Sequence, residues 1–263
     1  MQRAKGLGKL AVKRGRNETR LDRLHESGAA KLRIPKRSDG GFEAVLINTA
    51  GGLTGGDEMS WQFDIAAHCA LTLTTQACEK IYASSGGVAK VTTQISVGAG
   101  AKVAWLPQES ILFDKAHLTR RLTVNLEAGA EALIVEPVAL GRLAMGESRI
   151  TGLFQDRWRI HQSARLIHAE DFKIEPDISN TADKASVLGG AGSFATLLLI
   201  SPRAESLLDT ARDIIGEQGG ASFWNGKLLA RLTATDAYNL RKRLIPLIGL
   251  LNFEAALPQC WTL

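Results

Sequence analysis

Apolar residues recur at every second position through much of the first two thirds of the chain. Trp61, Phe63 and Ile65 alternate with polar residues, the small segment Ala66-Ala67-His68-Cys69 follows, and Leu71, Leu73 and Thr75 resume the alternation. Val91 to Val97 repeats the pattern, turns at Gly98-Ala99-Gly100-Ala101 and continues as Val103 to Leu106. Leu122, Val124 and Leu126 do so again, turn at Glu127-Ala128-Gly129-Ala130 and continue as Leu133 to Val135. A period of two marks strands with one buried face, and a small-residue turn between two such runs reads as a β-hairpin. Ile65, Val97 and Leu126 stand 32 and then 29 residues apart, so three units of one kind follow each other. A lone hairpin cannot bury its apolar face; successive units are expected to stack into a sandwich or an irregular β-helix-like core.

The flanks extend this picture. Lys31 to Ile34, stopped by Pro35, predicts a short strand, and Phe42 to Ile47 predicts a buried one. The last third changes period. Ser201-Pro202 reads as a helix start, with an apolar face over Leu207, Leu208, Ala211, Ile214 and Ile215. Asn225-Gly226 predicts a two-residue hairpin turn, and a second helix is expected from Thr235 or Asp236 through Leu240, Leu244 and Ile248, kinked at Pro246. The expected fold class is mainly β: stacked β-hairpins in a two-layer, partly helical-stack-like sandwich, with two C-terminal α-helices packed on it.

Charge alters the reading at the N-terminus. The chain has 263 residues and a formal net charge of +5, much of it from Arg3, Lys5, Lys9, Lys13, Arg14, Arg16 and Arg20. Residues 1–20 are therefore expected to form a basic, partly disordered arm before a single β-rich domain over 21–263. The arm has no aromatics to stack bases, so nucleic acid is not an expected partner. No run of about 20 apolar residues and no leader pattern is visible, so no membrane is expected and the location is expected to be cytoplasmic. Cys69, Cys78 and Cys260 are odd in number and lack metal-site spacing, which points to reduced thiols.

Chemistry concentrates around one segment, Asn48-Thr49-Ala50-Gly51-Gly52-Leu53-Thr54-Gly55-Gly56-Asp57. Paired glycines permit a sharp re-entrant turn that holds Asp57 at a fixed point. Further acids leave the second strand of each repeat unit: Glu79, Glu109 and Glu136, the last read as an ordinary solvated loop acid. Gly141 to Glu147 forms another glycine-bracketed turn. A nucleophile elbow, a zinc-protease helix, a phosphate-loop lysine and a dinucleotide fingerprint are all missing. The pattern nominates no catalytic residue.

Several motifs occur together in order: Gly51-Gly52-Leu53-Thr54-Gly55-Gly56-Asp57; Leu73-Thr74-Thr75-Gln76-Ala77 with Lys80, Tyr82 and Ser84; Trp105-Leu106-Pro107-Gln108-Glu109 with Phe113 and Ala116; Gly141-Arg142 with Gly146-Glu147; and Leu257-Pro258 with Trp261. This series resembles the UreD family of urease accessory proteins, called UreH in some bacteria. The resemblance implies a non-catalytic urease maturation protein that binds apo-urease. Through a helical bridging accessory protein (UreF-like) it would recruit a nickel-carrying GTPase (UreG-like). It also implies transient passage of nickel(II), with no permanently held cofactor. Cargo that must move on needs exchangeable oxygen ligands. The candidate nickel path is Asp57, Glu79, Glu109, Glu147 and Glu170, with Ser84 as a neutral neighbour. The alternative is a carboxylate-dependent β-fold enzyme acting on polysaccharide. It requires two carboxylates about 5 to 10 Å apart in an aromatic-lined groove, and aromatics make up only 6% of the chain.

Overall fold

A computed structural model of the chain describes residues 3–142, 145–147 and 149–261. The chain opens with an antiparallel pair, β1 (Lys5–Arg14) and β2 (Thr19–Gly28), followed by β3 (Ala30–Arg33) and β4 (Glu43–Asn48). Three similar coils come next. The first runs through β5 (Glu58–Ile65), β6 (Ala70–Thr75) and β7 (Glu79–Ile81); the second through β8 (Ala89–Val97), β9 (Lys102–Leu106) and β10 (Ser110–Leu112); the third through β11 (Ala116–Leu126) and β12 (Glu131–Leu140). An antiparallel pair, β13 (Gly152–Gln162) and β14 (Arg165–Ile174), and the short helix α1 (Ile178–Ala182) lead to the final region. There β15 (Ser193–Ile200), α2 (Leu208–Ile215), the hairpin β16 (Gly219–Trp224) and β17 (Lys227–Ala234), and α3 (Ala237–Leu251) complete the fold.

Two sheets face each other, ordered β14-β13-β11-β8-β5-β1-β2 and β16-β17-β15-β12-β9-β6-β4-β3. The repeat units lie where their spacing put them, in two layers, but their internal pairing differs from the hairpin expectation. The two long strands of each unit go to opposite sheets, and each pairs in parallel with the equivalent strand of the next unit. Ile65 lies beside Val97, and Val97 beside Leu126, so the recurring apolar residues are lateral neighbours in one sheet. The physical reason is burial of both apolar faces at once. Ala66 to Cys69 and its counterparts fold the chain across the sandwich, and the apolar faces of both strands then meet in one shared core. That core includes Phe63, Ile95, Val124, Leu73, Val103 and Ile134.

The N-terminal segment is a correction. Residues 5–14 are not a disordered arm but an interior strand of the first sheet, parallel to β5 from Lys5 beside Glu58 to Val12 beside Ile65. Its inward positions are Gly6, Gly8, Leu10 and Val12, with the lysines between them. Leu10 and Val12 are buried. Gly8 sits against the Trp61 ring, where an added Cβ would come within 2.4 Å of Cζ3. Glycines in the inward register and lysines in the outward one hide a two-residue period.

A second apolar cluster lies on the outer face of the second sheet, where Leu133, Val135, Leu197 and Leu199 meet Ala211, Ile215, Leu244 and Ile248 of α2 and α3. The two C-terminal helices therefore pack on the sheet as expected, with α3 capped by Asp236, whose carboxylate accepts from the Asn239 amide at 2.8 Å. The helix start differs at Ser201. Its hydroxyl accepts from the Arg203 amide and donates to Glu131, so the chain first makes turns and α2 begins at Leu208. Asn225 and Gly226 both take positive φ, as their hairpin turn requires. Among the described residues, no helix is long and apolar enough to cross a membrane.

Candidate functional site

The glycine segment between β4 and β5 is a built turn. An added Cβ on Gly55 would come within 1.9 Å of the Ser84 hydroxyl and 2.5 Å of the Gly86 carbonyl, so only glycine fits between the two loops. Asp57 is buried. One carboxylate oxygen accepts from the Ala4 amide and the other from the Thr54 amide, both at 2.8 Å. Its acceptors are thereby used in closing the turn and fastening the N-terminus to it. Ser84 is likewise engaged in its own loop, donating to the Gly87 carbonyl at 2.9 Å and accepting from the Gly86 amide.

The other acids named from the sequence are held by different partners. Glu147 accepts from the amides of Asp114 and Arg142, both at 2.9 Å, and pairs with the Arg142 guanidinium. Burial works against its charge, but these partners prevail and hold it below the usual carboxylate range. Leu143 and Ala144, in the middle of that expected turn, lie outside the described residues. Glu170 sits on β14 in an ion pair with Arg231 of β17 at 2.6 Å. Glu109 is gripped by Arg241 of α3 through two contacts of 2.7 Å, and it also accepts from the Cys78 thiol at 3.2 Å. Burial opposes the Glu109 charge too; the Arg241 fork outweighs it and lowers the carboxyl. The same burial, with Glu109 beside it, pushes the Cys78 thiol up to about 11, so this cysteine stays protonated.

Glu79 alone of the five lines a cavity of about 370 Å³ between the sheets. Gln76, Ala77, Cys78 and Glu79 form one part of its wall, and Met59, Trp61 and Leu118 of the facing sheet form another. Burial pushes Glu79 up to about 7; a hydrogen bond from the Asn48 amide group, at 3.1 Å, offsets only part of that. The cavity also meets a polar network that no sequence motif announced. Arg120 of β11 donates to Glu136 of β12 and to Asp156 of β13, each at 2.6 Å, and to the Ser110 hydroxyl at 3.0 Å. The Trp105 indole donates to the second Glu136 oxygen at 2.7 Å.

Glu136 is therefore not the solvated loop acid expected; like Arg120 and Asp156 it is buried. Burial pushes its carboxyl up, against the pull of Arg120. Arg120 also suffers from burial, but Asp156 and Glu136 together hold its guanidinium above the ordinary value. A signal existed in the register. Arg120 falls between Leu118 and Leu122 on the inward period of β11, and Asp156 between Phe154 and Trp158 on that of β13. A charge in an apolar register implies a buried partner.

Chemically, the interior holds two carboxylates on one guanidinium, with Glu79 as a third acid on the cavity wall. Counting Glu136, Asp156 and Arg120 as ionised leaves a surplus of one negative charge, and the ligand atoms are oxygens. Among the described residues, no three or more of His, Cys, Asp and Glu gather as a closed metal cluster. The carboxylate pair lies inside the sandwich and shares an arginine, unlike the free acid and base that glycoside chemistry uses across an open groove.

Fold and interior together define a class: a two-layer stack of parallel β-coils with acids directed into its core. The model of the UreD urease accessory protein family matches residues 4–262. The urease accessory protein UreD of Mesorhizobium japonicum is 53% identical over 266 residues, covering all of this chain and 95% of that protein. UreD of Rhizobium leguminosarum bv. viciae is 53% identical, with 96% of its length covered. UreD 1 of Brucella abortus is 47% identical, with 95% covered. The chain belongs to the UreD urease accessory protein family.

Proposed function

We propose that this chain is a non-catalytic scaffold and nickel conduit in the maturation of urease. In this reading it binds apo-urease and recruits a UreF-like bridging protein and a UreG-like nickel-carrying GTPase, as expected of a cytoplasmic UreD protein. Nickel(II) is cargo, entering beside Glu79 and passing the Glu136–Asp156 pair. The observation that carries this reading is the cavity between the sheets, with oxygen ligands along it. Carboxylates exchange a divalent ion with water far more readily than a cysteine–histidine cage would. With Arg120 already counted, the surplus of one negative charge attracts a cation without trapping it.

Of the acids first nominated, Glu79 remains in this path. Asp57, Glu109 and Glu147 support it as structure, through the turn, the α3 contact and the β10–β11 loop respectively. Co-expression with the urease subunits and the two other accessory proteins tests the proposal. Glu136→Gln and Asp156→Asn together should leave the accessory complex assembled while the nickel content of urease falls severalfold. Full nickel loading by that double variant would refute the conduit.

A further inference from the structure

Of the strands that end the two sheets, β2 is the most open. It pairs with β1 on one side and, among the described residues, with no strand on the other, and nearly all of its residues are exposed. At the far end of the same sheet, Arg231 reaches from β17 to Glu170 of β14 and closes the gap between the layers. On the β2 side the closing contacts lie toward the ends of the strand, where Thr19 accepts from the Ala70 amide and Glu26 from the Leu32 amide. Between them, Leu21 and Leu24 stand opposite the buried Val12 and Leu10 and so face inward. They are nevertheless 39% and 44% exposed.

Open edges are ordinarily blunted by charges and bulges. β2 has both, but they complement a second copy of themselves. The register with β1 passes from Arg23 beside Ala11 to Leu21 beside Val12, so Asp22 is the extra residue of a bulge. Its carboxylate meets the outward Lys13 at 3.0 Å, which puts Asp22 on the outer face together with Arg23. The order of faces from 21 to 24 is therefore in, out, out, in, which reads the same in both directions. Two antiparallel copies about an axis between Asp22 and Arg23 then set like faces opposite each other. Leu21 meets the partner's Leu24 on the inner face, and Asp22 meets the partner's Arg23 on the outer one. Neighbouring registers fail, because they oppose an inward leucine to the outward Asp22, Arg23 or His25. A two-fold contact must be self-complementary in this way, each residue of a pair meeting the other. We propose that β2 is a self-pairing edge through which two copies of the chain join antiparallel, linking their 7-stranded sheets into one continuous sheet. Backbone hydrogen bonds along the edge hold the pair, the leucines cover each other, and the two Asp22–Arg23 pairs fix the register. This edge shares no residue with the lining of the Glu79 cavity, so it stands or falls independently of nickel passage.

Sedimentation equilibrium of the full chain alone tests this, over about 1–100 μM, the range in which an edge contact of this size is expected to saturate. The expected result is a mass that rises from monomer to dimer. Arg23→Asp turns two opposed ion pairs into clustered like charges and should raise the dimer Kd at least about tenfold. Asp22→Arg combined with Arg23→Asp restores both pairs in reverse, and its Kd should return to within about threefold of the parent value. That rescue is specific to the two-fold register, since a different partner or a different pairing would not regain its contacts when the charges are exchanged. Leu24→Lys sets an ammonium against the partner's Leu21 and gives a second, independent weakening. A chain that stays monomeric throughout would overturn the proposal, including the case in which this edge receives a strand of another protein. A dimer unaffected by both Arg23→Asp and Leu24→Lys, or a weakening that the charge exchange does not reverse, would overturn it equally. Should a variant fail to fold, the mass of the unaltered chain still decides whether the edge pairs.

Discussion

Replacing Arg120 by Met would expose the logic of the buried network. The guanidinium holds two buried carboxylates at 2.6 Å each, and a methionine fills much of the same space without charge. Removing one partner from a buried ion pair costs about 3–5 kcal/mol, because the other charge is left uncompensated. Here two acids lose their cation, so the upper half of that range applies at pH 7.5. The folded variant can recover by taking up protons. Burial already pushes Glu136 up in the parent, and without Arg120 the pull that opposes this burial is lost. A folded state that binds more protons than the unfolded one gains stability as pH falls. The deficit of Arg120→Met should therefore shrink by at least about 1 kcal/mol between pH 7.5 and 5.5, since each proton contributes about 1.4 kcal/mol per pH unit. Urea unfolding of both proteins at the two pH values measures this. A deficit below about 1 kcal/mol, or one that is the same at both values, would refute the account. Replacing all three residues, Arg120→Met with Glu136→Leu and Asp156→Leu, should restore most of the stability, as apolar replacements of buried ion triads do. If the conduit reading holds, that stable triple variant still fails to deliver nickel.

Three other outcomes follow from the geometry. Because the folded pKa of Glu79 is raised to about 7, its ionised form is a burden above pH 7 that vanishes below the unfolded value. Glu79→Gln should thus be more stable than the parent at pH 8, by about 1–3 kcal/mol, and indistinguishable from it at pH 4, as read by denaturant midpoints. The same raised carboxyl, protonated below pH 7, predicts that nickel transfer to urease declines between pH 7.5 and 6 in a purified activation assay; a flat profile would remove Glu79 and Glu136 as ligands. Asp57→Ala leaves two backbone amides without their acceptor and should destabilise the chain by about 2–4 kcal/mol. Thermal unfolding distinguishes this structural loss from a pure defect in nickel loading, which would leave the melting temperature unchanged.

The repeated strands, the two-layer β core, the Asn225-Gly226 turn and the start of α3 near Asp236 were legible along the chain. Each depends on residues close in sequence: a period of two, a turn dipeptide, a capping carboxylate. The family motifs were legible for the same reason, as short strings in a recognisable order. What local pattern could not specify was pairing. Ala66 to Cys69 looks the same whether it returns the chain beside itself or carries it across to another sheet. Only the burial of both apolar faces at once selects the crossing and makes Ile65, Val97 and Leu126 neighbours. Residues 5–14 were masked by lysine and glycine, and their strand depends on β5, more than forty residues away, to supply Trp61 opposite Gly8. The site was the least legible part. Acids after glycine turns stand out in sequence, yet Asp57, Glu109 and Glu147 find amides or an arginine close by and serve as braces. Glu136 and Asp156 gain their chemistry from Arg120, and that meeting needs three strands in register. Composition and period settle most of the strands and the two-layer plan; the tertiary structure alone decides which charges are buried together, because desolvation and pairing act across distances that sequence does not measure.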